Sequence, residues 1–182
     1  MQVTVRPVAP ADTVSVATIQ AASWRSAYRG ILHDTYLDNA VVADRLAVWS
    51  ALLSEGSSQH YGSVAEIDQQ LVGFVFMRGA EDATWGTLLD NLHVLPEFKG
   101  KGVGRVLVDA AAQETMRRHP AIGVYLWVFE QNLPARSFYS RLGGQEVERL
   151  VVAVPGGGHV PEWRVAWNTA EHLVGSSRSA SD

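Results

Sequence analysis

Apolar and polar positions along this chain follow two rhythms, and the switches between them outline its elements. Val3, Val5 and Val8 lie in a short apolar stretch closed by Pro7 and Pro10, and its beginning reads as a first strand. After Asp12 the period lengthens. Val16, Ile19, Gln20 and Ser23 lead to Trp24 and Tyr28 at helical spacing, with Asp12 or Thr13 as N-cap and Gly30 as the stop. Two more helical pieces follow, over 34–39 and 41–53; the second carries Val42, Arg45, Leu46 and Trp49 on one face. Beyond a loop at 55–58, apolar runs rich in strand-forming residues span 63–67 and 71–77, a hairpin across Asp68-Gln69-Gln70. A longer strand covers 84–94 and Pro96 ends it. Val103, Val106, Leu107, Ala110 and Ala111 then mark a strong helix over 102–119, stopped by Pro120. A buried strand over 122–129 precedes a helix over 132–142. Asn132 caps that helix, Pro134 sits in its first turn, and Gly143 and Gly144 end it. A second hairpin, 147–154 with 160–167, turns at Pro155-Gly156-Gly157-Gly158. This order predicts an α/β fold with a single mixed, mainly antiparallel sheet flanked by helices. It predicts one domain over 1–170 and a disordered tail over 171–182.

Composition narrows the function classes. The 182 residues are 47% hydrophobic and 19% charged, an ordinary globular balance. A net charge of −4 argues against nucleic acid as the main partner, because phosphate binding needs clustered Lys and Arg. There is no cysteine, which removes disulfides, thiolate metal ligands and a cysteine acyl-enzyme from the options. No apolar run reaches the roughly 18 residues of a membrane span, and the N-terminus lacks a leader pattern. A soluble cytoplasmic protein is the expectation. No His/Asp/Glu grouping has metal-ligand spacing, so no metal is expected.

The chemistry concentrates at a glycine-rich turn. Val94-Leu95-Pro96-Glu97-Phe98-Lys99-Gly100-Lys101-Gly102-Val103-Gly104-Arg105 joins a strand to the strongest helix. Glycines let backbone approach a ligand, and a helix N-terminus offers unpaired N–H groups and positive potential, which together suit a phosphate. Lys99, Lys101 and Arg105 add charge. The spacing fits neither a Walker loop nor a dinucleotide fingerprint. A solvated turn, or a binder of nucleotide phosphates, is the competing reading of the turn by itself.

Two stretches together resemble the GNAT (Gcn5-related N-acetyltransferase) superfamily. Leu92-x-Val94-x-Pro96 followed by Lys99-x-x-Gly102-x-Gly104 is similar to its acetyl-coenzyme A signature, with Lys99 where Gln or Arg is usual. Asn132-x-x-Ala135-x-x-Phe138-Tyr139-x-x-x-Gly143 is similar to its second signature, in the family's order. The resemblance covers about residues 1–168. It implies a GNAT-like acyl-CoA N-acyltransferase fold and an N-acetyltransferase that moves an acetyl group from acetyl-CoA to a primary amine in a ternary complex. Backbone from Lys99 through Gly100, Lys101, Gly102, Val103 and Gly104 to Arg105 would hold the pyrophosphate, and the strand at Leu92, His93 and Val94 the pantetheine arm. Asn132 and Ala135 would face that arm, and Tyr139 would protonate the departing thiolate. On residues alone Tyr139 is equally a core tyrosine with its hydroxyl tied off. A homodimer is a further option, by analogy with the family.

The amine end is less defined. Residues 23–37 resemble the first helix and loop of one GNAT subgroup, in which Trp24, Tyr28 and Tyr36 would line an acceptor slot for a small-molecule or peptide amine. Aromatic packing of helix on sheet is the competing reading. Many relatives place a glutamate base at positions that here hold Leu88 and Trp127. Asp90 shares the strand face of Leu88 and is the substitute; His93 lies on the opposite face if the strand is regular. The missing glutamates leave a second function open, a non-catalytic acyl-CoA-binding or regulatory module.

Overall fold

The computed structural model describes residues 2–174. Its strands are β1 (Thr4–Pro7), β2 (His60–Ile67), β3 (Gln70–Asp82), β4 (Gly86–Val94), β5 (Val124–Phe129), β6 (Gln145–Ala153) and β7 (His159–Trp167). Its helices are α1 (Thr13–Ala27), α2 (Asp34–Asn39), α3 (Val41–Glu55), α4 (Val103–Arg118), α5 (Leu133–Arg141) and α6 (Glu171–Val174). The strands form one sheet in the order β1-β2-β3-β4-β5-β7-β6. Every neighbouring pair is antiparallel except β4 with β5. The expected single, mixed, mainly antiparallel sheet flanked by helices is therefore present. The first hairpin is tighter than its three polar residues suggested: Gln70 already pairs with Ile67, and Asp68 and Gln69 make the turn with φ of 50° and 65°.

Each face of the sheet buries a different kind of core. Side chains alternate across a strand, so Val75 and Met77 of β3 face α4 while Phe74 and Phe76 face α1 and α3. On the α4 face Leu107, Val108, Ala111 and Ala112 pack against both halves of the sheet, and α5 adds Tyr139 and Leu142. On the other face Trp49 of α3 stands edge-on to Phe74 and Phe76, with ring centres 5.1 Å apart in both pairs. Truncating a buried Trp of this kind costs about 3–5 kcal/mol.

The helical turn α6 opens the segment expected as tail. Leu173 is fully buried in the α4 cluster, so apolar burial orders residues 171–174; the remainder of that expectation, 175–182, lies outside the described residues. Among the described residues no helix is long and apolar enough to cross a membrane.

Two irregularities shape the centre of the sheet. β4 and β5 pair only at Thr87 with Val124 and Leu88 with Tyr125, then part. From Leu89 onward the β5-facing edge of β4 has no strand partner among the described residues. In addition, β4 carries a bulge: Phe76 pairs with Asn91 and Met77 with Leu89, leaving Asp90 as the extra residue.

Candidate active site

The gap between β4 and β5 opens into a cleft of about 630 Å³, walled by α1, β4, the glycine turn, β5 and α5. Most of the residues singled out in the sequence meet here. Leu92, His93, Val94, Lys99, Gly100, Gly102, Gly104, Arg105, Asn132, Ala135 and Tyr139 all line it, as do Asp90 and Tyr28.

At one end the chain builds an anion cradle from backbone. Pro96 starts a short 3-10 turn, Pro96–Phe98, and the chain then enters α4 through Gly100 (φ 73°) and Gly102 (φ 84°). These left-handed conformations need glycine. A Cβ at either position would meet nothing within 4 Å, so the space before the turn is open. The amides of Val103 and Gly104 begin α4, have no carbonyl partner within the helix, and sit at the positive end of its dipole. This geometry fits a pyrophosphate without requiring any side chain. Lys99 lines the cleft, and partial burial pulls its ammonium below the ordinary value. Other expected contributors make side-chain contacts of their own. Arg105 ion-pairs with Asp109 at 2.9 Å and donates to the Val174 carbonyl at 3.0 Å. Lys101 lies outside the cleft lining with Nζ 5.1 Å from the centre of the Phe98 ring, and Val103 points its side chain into the core. Arg141 of α5 lines the cleft instead.

The middle of the cleft is the open edge of β4 facing α5. Asn132 caps α5, its Oδ1 accepting from the Ala135 amide at 3.4 Å, while also lining the cleft. Tyr139 projects from the same helix, packed against Phe138 and Trp167. Its hydroxyl makes no hydrogen bond among the described residues, unlike a core tyrosine with its hydroxyl tied off. Burial and the nearby Tyr28 push the phenol well above its ordinary pKa, so it carries its proton throughout the biological range.

The other end is built from side chains, and here the bulge matters. A regular strand would put His93 on the opposite face from Asp90. The extra residue restarts the alternation, so Asp90, Asn91 and His93 all reach the α1 face. Asn91 accepts from Gln20 of α1 at 2.7 Å, and His93 Nδ1 lies 3.1 Å from Ser23 Oγ of the same helix. Asp90 accepts on Oδ2 from Arg78 Nε at 3.1 Å and from Asn91 Nδ2 at 3.0 Å. Its Oδ1 has no hydrogen-bond partner among the described residues, and the residue lines the cleft. His93 is buried; desolvation, with Lys99 and Arg45 nearby, lowers its pKa to about 3, so its ring is neutral near pH 7.

The three aromatics expected at an acceptor slot divide. Tyr28 lines the cleft, edge-on to Phe129 at 5.0 Å, and burial together with the Glu162 charge raises its phenol to about 12. Trp24 packs behind it at 5.5 Å with the Arg45 guanidinium 4.7 Å above its ring. Tyr36 does not reach the cleft. It is buried in the α2–α3 cluster, donates to the Asp44 carboxylate, and seats against Gly156, where a Cβ would come within 2.5 Å of its own Cβ.

Several site residues had no motif to announce them. Gln20, Ser23 and Asn91 are ordinary polar residues in elements of the right type; only a Gln set among the apolar positions of its helix hinted at a partner. Glu162 on β7 is the cross-strand neighbour of Phe129, has no hydrogen bond or ion pair among the described residues, and is raised in pKa by burial. A lone acidic residue amid strand alternation was its signal. Among the described residues no group of His, Asp or Glu could hold a metal ion.

The chain is similar to several N-acetyltransferases. An uncharacterized N-acetyltransferase of Archaeoglobus fulgidus is 38% identical over 85 residues, which is 42% of this chain and 54% of that one. The match thus spans about half the length of that relative. The N-acetyltransferase YuaI of Bacillus subtilis is 27% identical over 148 residues, 80% of this chain and 82% of that one. Among solved structures, the PaiA N-acetyltransferase of Thermoplasma acidophilum in complex with coenzyme A superposes with a TM-score of 0.74 at 20% identity, covering 92% of this chain and 99% of that one. The ribosomal-protein-S18-alanine N-acetyltransferase of Escherichia coli gives 0.67 at 15% identity, covering 92% and 94%. The sequence pattern described as the acetyltransferase (GNAT) family matches residues 18–144, and the chain belongs to that family.

Proposed function

We propose that this chain, through its domain at residues 1–170, is an N-acetyltransferase that transfers an acetyl group from acetyl-CoA directly to a primary amine of a small molecule or peptide. The observation that carries the proposal is the shared cleft: one parted strand pair joins a backbone anion cradle to a free phenol and a free carboxylate oxygen. Backbone of the glycine turn and Lys99 bind the pyrophosphate. The unpaired edge of β4 at Leu92 to Val94 and the end of α5 at Asn132 and Ala135 orient the pantetheine arm. Acetyl-CoA supplies an activated acyl group as a thioester.

The residues of this chain then handle the protons. Asp90 Oδ1 takes a proton from the acceptor nitrogen, directly or through a water, as the N–C bond forms. Tyr139 gives its proton to the sulfur as the C–S bond breaks. The high pKa of the buried phenol keeps it protonated but makes it a weak acid, so this transfer depends on close contact with the thiolate. Tyr28 borders the acceptor. His93, neutral and hydrogen-bonded to Ser23, supports the strand.

Calorimetric titration with acetyl-CoA tests the donor half; micromolar binding is expected, and none at millimolar concentration rejects the proposal. Thiol release across peptides, polyamines, aminoglycosides and amino acids tests the transfer. The apolar Leu88 and Trp127, where many relatives place a glutamate, favour the second reading of a non-catalytic acyl-CoA-binding module. Tight binding with silence across the whole panel would select it.

A further inference from the structure

We propose that Gln20 is a positioning residue that sets the orientation of the Asp90 carboxylate through a hydrogen-bond chain running from the core of the α1 face to the cleft. This inference rests on the role of Asp90 given above.

The chain of donors runs in one direction only. Trp49 Nε1 donates to Gln20 Oε1 at 2.6 Å, and an indole nitrogen has no accepting capacity. The Gln20 amide is therefore fixed: its oxygen meets Trp49 and its nitrogen must point the other way. That nitrogen donates to Asn91 Oδ1 at 2.7 Å, which fixes the second amide in turn. Asn91 then presents its nitrogen to Asp90 Oδ2 at 3.0 Å. An ionised carboxylate accepts only, so both ends of the chain impose the same polarity. Trp49 and Gln20 are each about 1% exposed, so water does not compete at the origin.

The β4 bulge makes the last link possible. With Asp90 as the extra residue, Asp90 and Asn91 project on the same face and bond to each other, whereas sequence neighbours in a regular strand face opposite ways. Arg78 reaches the same Oδ2 at 3.1 Å. Both donors thus converge on one oxygen, and the carboxylate is locked with Oδ1 left over in a residue that lines the cleft. Without Gln20, nothing holds the Asn91 carboxamide oxygen, so that amide is free to swing away from Oδ2. Asp90 then keeps Arg78 as its anchor and its carboxylate can rotate away from the acceptor.

The test is a double-mutant cycle with Gln20→Met and Asp90→Asn, assayed by thiol release from acetyl-CoA with the best amine of the panel above. Gln20→Met should lower kcat about 10- to 100-fold, the scale of a small misplacement of a reacting group, with acetyl-CoA affinity unchanged. Added to Asp90→Asn it should cost nothing further. In the labelled protein, the Asn91 carboxamide NMR signals should move in Gln20→Met with no acceptor present. If Gln20→Met does not fold, Asn91→Ala breaks the next link in a less buried position and should obey the same non-additivity. Multiplicative losses, with unmoved Asn91 signals, overturn the positioning role while leaving Asp90 intact. Full activity of Asp90→Asn instead removes the base itself, and the positioning role falls with it.

Discussion

The two ends of the cleft are made of different material. The end proposed to hold the acyl donor is backbone: left-handed glycines, the first amides of α4 and an unpaired strand edge. The end proposed to take the acceptor is side chain: Asp90 held by Arg78 and Asn91, Tyr28 against Phe129, and Glu162 beyond it. A site made of backbone must bind the same kind of group wherever that backbone shape recurs, and it demands glycine at fixed spacing. A site made of side chains is free to vary with its ligand, and its parts come from β3, β4, β5, β7 and the residue that follows α1.

The sharpest break between the two ends comes from Asp90→Asn. It should lower kcat by about 10²–10³-fold, within the range for a positioned base, and leave acetyl-CoA affinity untouched by calorimetry. The mirror experiment is Gly102→Val. A β-branched residue at φ 84° is strained, and its side chain would enter the open space of the cradle. Acetyl-CoA affinity should fall about 100-fold, roughly 2.7 kcal/mol, with the chemical step at saturation changed far less. Equal effects of the two variants on kcat and on affinity would dissolve the division of labour.

Tyr139→Phe probes the junction. Retained packing should keep the melting temperature and cofactor affinity, while turnover falls about tenfold or more if chemistry limits the rate. Unchanged turnover under those conditions would exclude the phenol as the acid.

The pH dependences separate the buried groups. His93 has a folded pKa of about 3 against an ordinary 6.5, so its neutral form contributes stability above pH 6.5 that is lost as pH falls toward 3. Its NMR titration should show no charging between pH 5 and 8, and activity should carry no limb from it. Glu162 is the opposite case. Its folded pKa is raised, so the stability linked to its protonated form is present below the ordinary glutamate value and lost as pH rises through the folded one. Glu162→Gln should therefore raise the melting temperature slightly at pH 7, by about 2 °C, and the gain should vanish in acid.

Legibility in the sequence follows the same division. The helix over 102–119 and the turn before it were readable because glycine spacing and a 3.6-residue period are local constraints. Asn132 was readable as a cap for the same reason, and the structure keeps it as one while placing it in the cleft. The register of β4 was not readable. A bulge is set by pairing with β3, so alternation along a regular strand could not place His93 and hid the contact between Asp90 and Asn91. The three aromatics at 24–36 show the limit again: composition suggested a slot, but only Tyr28 lines the cleft, because the hydroxyl of Tyr36 goes to Asp44.

The sequence by itself determined the element order, the single mixed sheet, the position of the glycine turn and the family resemblance. Each of these depends on residues close together in the chain. The tertiary structure alone decided which side chains share the cleft, that the Arg105 side chain ion-pairs with Asp109, and that Gln20 lies behind Asp90. Those facts depend on contacts between elements as far apart as residues 20 and 91, whose geometry a one-dimensional pattern does not encode.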